Sequence, residues 1–435
     1  MKNIFEEFIR IWVGKYLPSE HIWVKPELKP VGIYKNLRMY FRKWVIHPIR
    51  RKKTHLRSRL LQHKGCKIVG VAGSAGKTTT KQMLHSVLSQ KFKTVSSKGN
   101  IDPVYNIPET VLHTPLDTEM LVLEMSVEFP GEMNFYNWLA NPDIGVLISV
   151  DWTHTEFFGD VEGVLKEEEK IATLLSENSF AVLNYDDKRV RSVASKTKAK
   201  VLFFGSCNKC DVWFSDVFIT KDLKTQVTLH HKNDRVKVLV PFLGYHFASL
   251  AAAAACVGLI NNMDLLDIKI GIEESKGEPH RMLPILLRDN ITIIDDTYNA
   301  NPLATKAALK VLKDVAGKRR KIFVFGEMKE LGAHAIKGHE DVGEYVAEVG
   351  VDELITIGAL TKETIKSASK NAKRKINAVN LESNQEVVKE LLKRLQPSDV
   401  VLIKGSRSMK LDEVVDTIQR FYKKVGAYNL KGVKN

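Results

Sequence analysis

A chain of 435 residues exceeds the usual size of one domain, and two or three domains are expected. Its 44% hydrophobic share supports a substantial core, yet no run of 18 apolar residues is present to span a bilayer. Four cysteines (Cys66, Cys207, Cys210 and Cys256) exclude a disulfide framework, and with no signal-peptide pattern the expected setting is reducing and cytoplasmic.

The net charge of +15 is unevenly placed. Residues 1–67 carry 17 Lys/Arg against 4 Asp/Glu, a net of +13, and no acidic residue lies between Glu27 and Asp102. Within this basic, aromatic-rich arm, assigned to residues 1–66, Phe5, Phe8, Ile9, Ile11, Trp12 and Tyr16 recur at helical spacing. Pro26, Pro30 and Gly32 break the pattern. A second segment from Tyr34 to Ile46 interleaves Tyr40, Phe41 and Trp44 with Lys35, Arg38, Arg42 and Lys43. Arg50-Arg51-Lys52-Lys53 then opens a basic helical run to Leu61. Aromatics and cations on amphipathic segments suit the surface of an anionic membrane, so peripheral contact at its inner face is the leading expectation. The alternative is a helical arm that packs its aromatics on the next domain. RNA ranks third, and no nucleic-acid partner is expected.

Residues 67–280 are read as a central α/β domain. An apolar strand ending at Ala72 runs into Gly73-Ser74-Ala75-Gly76-Lys77-Thr78-Thr79, with a helical pattern behind it through Met83, Leu84 and Leu88. Strand, glycine turn and helix start make an anion cradle, because backbone N–H groups and the helix dipole both point at the bound group. Lys77 adds a charge near the β- and γ-phosphates of a nucleotide, and the Thr78 hydroxyl can reach a Mg²⁺. Val71 holds the place of the first Walker glycine, so the motif is a shortened G-x-x-G-K-T-T. The plainer reading is a glycine-rich turn with an exposed lysine.

Strands are predicted at Lys67–Ala72, Met120–Met125, Ile144–Val150, Phe180–Asn184 and Val201–Phe204, with antiparallel strands in Trp213–Val240 and an alanine-rich helix from Leu250 to Ile260. Glu124, past the end of a buried strand, stands where open α/β sheets bind ligands and can hold a Mg²⁺. His154 emerges after the next strand, where a second metal or the substrate would lie. Cys207 and Cys210 form a C-x-x-C without a second pair at zinc spacing, and a two-cysteine turn is preferred. Residues 281–435 form a second α/β domain with strands at Ile291–Asp295, Lys321–Phe325, Glu353–Ile357 and Asp399–Lys404. The fold class is thus α/β: a central P-loop-type, mostly parallel sheet, a C-terminal Rossmann-like domain, and a short basic helical arm before them.

The C-terminal domain carries Asp295-Asp296-Thr297-Tyr298-Asn299-Ala300-Asn301-Pro302, Gly326-Glu327-Met328-Lys329-Glu330-Leu331-Gly332 and Lys404-Gly405-Ser406-Arg407. Together with Gly99-Asn100, Asn106, Pro130-Gly131-Glu132-Met133 and Gly277–Arg281, these segments resemble the Mur ligase family over roughly residues 67–420. The resemblance is greatest to members that add D-alanyl-D-alanine to a UDP-muramyl tripeptide. It implies ATP and Mg²⁺, a substrate carboxylate activated as an acyl phosphate, and capture by an amine. A UDP-muramyl-peptide-like donor and a D-Ala-D-Ala-like acceptor follow from it, and a monomer is expected.

By the same resemblance Gly73 to Thr79 cradle ATP, Lys77 holds its β/γ-phosphates, and Thr78 with Glu124 holds the first metal. His154 serves the second metal, Arg281 lies at the hinge, Asp296 and Asn299 contact the nucleotide, and Asn100, Asn301, Lys404, Ser406 and Arg407 face the substrates. The family carries a carbamylated lysine after the histidine motif. Here Glu168 occupies that place, and its carboxylate is expected to replace the carbamate, unless a helix slip brings in Lys166 or Lys170. The family's H-N-x-x-N is His246-Phe247-Ala248-Ser249-Leu250 here, with Phe247 a candidate to stack on the base. The family's UDP-binding N-terminal domain has no counterpart in residues 1–66. A ligase for another polymer, such as pseudomurein peptides or an amino-acid polymer, is the nearest alternative, and a non-catalytic nucleotide-binding scaffold at the membrane is the more distant one.

Overall fold

The computed structural model describes residues 2–14, 16–23, 33–99 and 101–431. Pro26, Pro30, Gly32 and Asn100 lie outside the described residues, as do the side chains of Phe5, Tyr34 and Lys35. The chain forms two compact units: residues 1–215, 228–238 and 249–276, and residues 216–227, 239–248 and 277–435.

Nine strands make the first sheet: β1 Lys67–Ala72, β2 Thr94–Ser96, β3 Met120–Glu124, β4 Ile144–Leu147, β5 Phe180–Asn184, β6 Lys200–Gly205, β7 Val212–Ile219, β8 Thr225–His231 and β9 Asp234–Val240. Their order is β2-β3-β1-β4-β5-β6-β7-β8-β9, and the pairs from β2 through β7 are parallel. Strands β1, β3 and β4 are apolar and buried almost throughout because helices cover both faces, the usual reason parallel strands lose their polar alternation. Register sets Val71 beside Glu124 and Val146, so the residues after β1, β3 and β4 emerge together at one edge.

Two predicted element ends shift by three residues or more. β4 stops at Leu147 rather than Val150, because Ser149 leaves the ladder to meet the glycine loop, its carbonyl accepting from the Ser74 N–H at 2.8 Å. The alanine-rich helix begins at His246, four residues ahead of Leu250.

Gly145 shows how tightly helix and sheet meet. A Cβ there would lie 2.3 Å from the Ile171 carbonyl oxygen, which backbone cannot yield. Gly145→Ala should therefore destabilise the protein by about 3 kcal/mol, the upper range for overpacking, read as a lowered midpoint in urea unfolding. An unchanged midpoint would show that the helix slides away freely.

The arm folds against this unit. Val13, Leu17, Ile22 and Leu61 join the same buried cluster as Phe135, Tyr136 and Leu139. The helix His47–His63 docks through polar ties: Ser58 Oγ donates to the Leu139 carbonyl at 2.8 Å, Arg57 to that of Thr114 at 2.8 Å, and His55 stacks on Trp138 at 4.9 Å. Aliphatic residues make most of this packing, with Trp44 partly buried against it, whereas the aromatics Phe8, Trp12 and Phe41 stay 68%, 40% and 56% exposed. Among the described residues no helix is long and apolar enough to cross a membrane.

The second unit holds β10 Leu283–Leu286, β11 Thr292–Asp296, β12 Lys321–Gly326, β13 Glu353–Ile357, β14 Asn377–Leu381 and β15 Val400–Lys404. The order is β10-β11-β15-β12-β13-β14, with β10 antiparallel and the other pairs parallel. Lys404 at the end of β15 lies opposite Asp296 of β11 and Phe325 of β12, which gathers the three sequence motifs of this unit at one sheet edge.

Candidate active site

Within the first unit the glycine loop is held open by its backbone. Gly73 has φ +132° and Gly76 φ +84°, both unfavourable for a side chain, and a Cβ on Gly73 would meet Ser149 backbone atoms at 3.0 Å. Ser74 Oγ accepts from the Asp151 N–H at 2.9 Å, and Ser149 Oγ accepts from that of Ala75 at 3.2 Å. Gly76 caps the helix Lys77–Ser89, which presents its N-terminus to the loop. The Lys77 ammonium folds back to donate to the Gly73 carbonyl at 2.5 Å.

Carboxylates converge on this loop from distant parts of the sequence. Thr78 Oγ1 donates to Glu124 Oε1 at 3.1 Å, and the other Glu124 oxygen lies 3.3 Å from Lys81 Nζ. Glu168, 2% exposed at the end of the helix Val161–Glu168, accepts from the Gly73 N–H through Oε2 at 2.9 Å. Burial pushes its carboxyl up to about 7, against the pull of Lys77 and of the Gly73 N–H, while Glu167 and Glu132 add to the rise. The neighbouring lysines point elsewhere: Lys166 is exposed, and Lys170 pairs with Glu167 at 2.7 Å. His154 sits in the left-handed region at φ 52°, and burial, helped by Lys77, pushes its imidazole down to about 4.

Among the described residues no three His, Cys, Asp or Glu side chains cluster as a metal site; what the glycine loop gathers is the Thr78 hydroxyl and the Glu124 and Glu168 carboxylates, hard oxygen donors of the kind Mg²⁺ takes. Lys81 was not among the residues singled out from sequence. It is fully buried, bridging Glu124 and the Gly99 carbonyl at 3.1 Å, and stands one helical turn after Lys77 on the same face.

In the second unit Lys404 is 2% exposed and donates to Asp296 Oδ2 at 2.5 Å and to the Asn299 carbonyl at 2.8 Å. Arg281 lies over the Tyr298 ring, 4.0 Å from its centroid. Ser406 Oγ accepts from the Lys329 N–H at 2.8 Å, tying the third motif to the second. The Asn301 side chain caps the helix Pro302–Ala316 by accepting from the Ala304 N–H at 2.8 Å. Arg407 is exposed and pairs with Asp412 at 3.0 Å. Direct contacts therefore unite Asp296, Asn299 and Lys404, while Asn301 caps the helix that follows it and Arg407 pairs with Asp412 at the start of the last helix.

One expectation is corrected. Phe247 is only 3% exposed, packed against Phe242 and His246 with ring centroids at 5.2 and 4.1 Å, and is not presented to stack on a base. Cys210 donates its N–H to the Cys207 carbonyl at 3.1 Å, as a turn requires, and burial beside Cys207 pushes its thiol up to about 12.

The glycine loop on a mostly parallel sheet defines the first unit as a P-loop-type α/β fold. Residues 71–258 match the Mur ligase middle domain, and residues 280–407 match the Mur ligase glutamate ligase domain. The chain is 31% identical over 360 residues to the UDP-N-acetylmuramoyl-tripeptide–D-alanyl-D-alanine ligase of Escherichia coli strain K12, covering 82% of this chain and 78% of that protein. The enzyme of that name from Bacillus subtilis strain 168 is 30% identical, covering 82% and 76%. The MurF ligase of Thermotoga maritima, solved in complex with ADP, superposes with a TM-score of 0.76 at 28% identity, covering 86% and 84%. The chain belongs to the Mur ligase family.

Proposed function

We propose that the chain is an ATP-dependent ligase that joins D-alanyl-D-alanine to the peptide carboxylate of a UDP-N-acetylmuramoyl tripeptide, as the names of its relatives state of them. The observation that carries the reading is the convergence of Lys77, Thr78, Glu124 and Glu168 on one glycine loop. A carboxylate acylates poorly at neutral pH, and transfer of the γ-phosphoryl group to it supplies a leaving group. The work of the protein is then positioning and charge stabilisation.

In this reading residues 1–66 are an arm, 67–280 the ATP-binding domain and 281–435 the C-terminal ligase domain. The N–H groups from Gly73 to Thr79 cradle the phosphates, and Lys77 leaves the Gly73 carbonyl to meet the β/γ-oxygens. Thr78 and Glu124 hold one Mg²⁺, and Glu168 and His154 a second. These cations neutralise charge on the phosphates and the substrate carboxylate. Glu168, a genetically encoded carboxylate, replaces the carbamate that other members make from a lysine. Lys81 holds Glu124 aimed at Thr78. Lys404 fixes Asp296 to receive the nucleotide ribose beside Asn299, and Arg281 acts at the hinge. Asn301, Ser406 and Arg407 face the substrates, for which Asn100 is a further candidate ligand. One chain supplies both sets of residues, so the reaction needs no second copy. It runs on the cytoplasmic side, where the exposed Phe8, Trp12 and Phe41 of the arm are available to an anionic membrane.

Phosphate release from ATP tests the assignment. Release should require both the UDP-muramyl tripeptide and D-alanyl-D-alanine, and yield the pentapeptide. Release with a different donor or acceptor alone would redirect the reading to another polymer. No release with any pair would leave a nucleotide-binding scaffold.

A further inference from the structure

The arm and the first unit enclose a cavity of about 360 Å³, within the range of small-molecule sites. Its wall is cationic on one side, with Arg42, Lys43 and Arg51 beside His47, a neutral imidazole, and aromatic on another, with Trp44 and Tyr105. Among the described residues Glu20 is the one carboxylate in its lining. Arg51 is the informative member. Only 6% exposed, its guanidinium makes one hydrogen bond, to the Val13 carbonyl at 2.9 Å, and has no ion-pair partner among the described residues. A guanidinium has five N–H donors, so most of them remain for the cavity.

The surrounding charges relieve the field at Arg51 only in part. Burial pushes Arg51 down to about 10, with only partial relief from Tyr105 and Asp102. Burial, then Arg51, Arg42 and Arg50, push His47 down to about 4, and Lys43 is lowered by burial and Arg51. Arg50 is turned outward to Glu109. Cations that disfavour one another around a concave, half-apolar space attract a multivalent anion.

One lining residue connects the cavity to the electrostatics of the glycine loop. Its lining residue His21 pairs with Glu132 at 2.5 Å, and Glu132 is near enough to raise both His154 and Glu168.

We propose that this cavity binds a phosphate-bearing anion, a diphosphate with an aromatic or apolar group beside it, and thereby seats the donor substrate from the arm. Arg51 and Arg42 grip the phosphates and Tyr105 with Trp44 covers the adjoining group. The inference rests on the ligase reading for its purpose, though not for its binding chemistry.

The test is a calorimetric titration of the full chain with its glycine loop saturated by ADP and Mg²⁺. UDP, and inorganic pyrophosphate more weakly, should bind at a second site whose affinity falls with salt. Arg42→Glu, on an exposed side chain, should weaken that binding at least tenfold, and Arg51→Met should abolish it, both with ADP affinity unchanged. In the ligation assay Arg42→Glu should raise the KM for the UDP-muramyl donor tenfold and leave the KM for ATP alone. Vesicles containing phosphatidylglycerol distinguish the source: Arg42-dependent binding to them without UDP binding would make a lipid headgroup the phosphate donor to the site. Absence of both, or binding untouched by Arg42→Glu, overturns the proposal. Failure of ADP to bind would instead sink the ligase reading.

Discussion

Glu168→Gln should lower the rate of ATP-dependent phosphate release about 100-fold while leaving ADP binding intact, the scale expected when one fixed electrostatic group is lost from a reacting site. The substitution isolates charge from shape. A glutamine oxygen can still accept the Gly73 N–H that Glu168 holds at 2.9 Å, so the loop keeps its form. Lys166→Ala and Lys170→Ala should stay close to the parent rate, because one side chain is exposed and the other is spent on Glu167. Nor should removal of bicarbonate slow the parent enzyme, since a glutamate needs no carbon dioxide to become a carboxylate.

Stability gives an independent reading of the same site. The Glu168 carboxyl is raised from the ordinary 4.5 to about 7, chiefly by burial. The folded protein therefore holds its proton more tightly than the unfolded chain, and the wild type loses stability as pH rises from 4.5 to 7. Glutamine escapes that penalty. With EDTA present, the melting temperature of Glu168→Gln should match the parent near pH 4 and exceed it above pH 7. Full catalytic activity in Glu168→Gln would end the assignment, whatever the melting curves do.

What could be read from sequence was local, and what escaped was assembled from afar. The glycine loop was legible because a strand, a turn with two glycines and a helix start follow one another within a few residues. Lys81 was not, since nothing in Thr78-Thr79-Thr80-Lys81 says that Glu124 and the Gly99 carbonyl will close over it. The pairing of His21 with Glu132 spans 111 residues and has no sequence signature. Strand β10 was hidden by Pro284, which is tolerated because β10 forms the edge of its sheet. Strand β14, at the opposite edge, reads Asn-Ala-Val-Asn-Leu, too polar to announce itself, and its Asn380 amide is occupied by Thr356, Gly358 and Thr361. The residues that dock the arm were hidden for a related reason. The arm's aromatics dominate the pattern, yet the smaller Val13, Leu17 and Ile22 reach the core.

Lys404→Met should cost the second unit about 4 kcal/mol, measured by urea unfolding, because it strands a buried charge. Asp296 is 9% exposed and receives, besides Lys404, only the Met282 N–H at 3.2 Å. Without the ammonium its carboxylate must lose its charge or draw in water. Adding Asp296→Leu removes the stranded group, and the double variant should recover more than half of the lost stability, since an apolar pair of similar size avoids the desolvation cost altogether. Activity should not follow. If Asp296 receives the nucleotide, the repaired fold stays inactive, with ATP half-saturation shifted upward by at least tenfold in any residual reaction. A double variant that regained both stability and turnover would make the Lys404–Asp296 pair a structural brace and remove it from the active site. The converse, a single Lys404→Met variant as stable as the parent, would mean that the sheet edge is wetter than its burial implies and that the pair is held for chemistry alone.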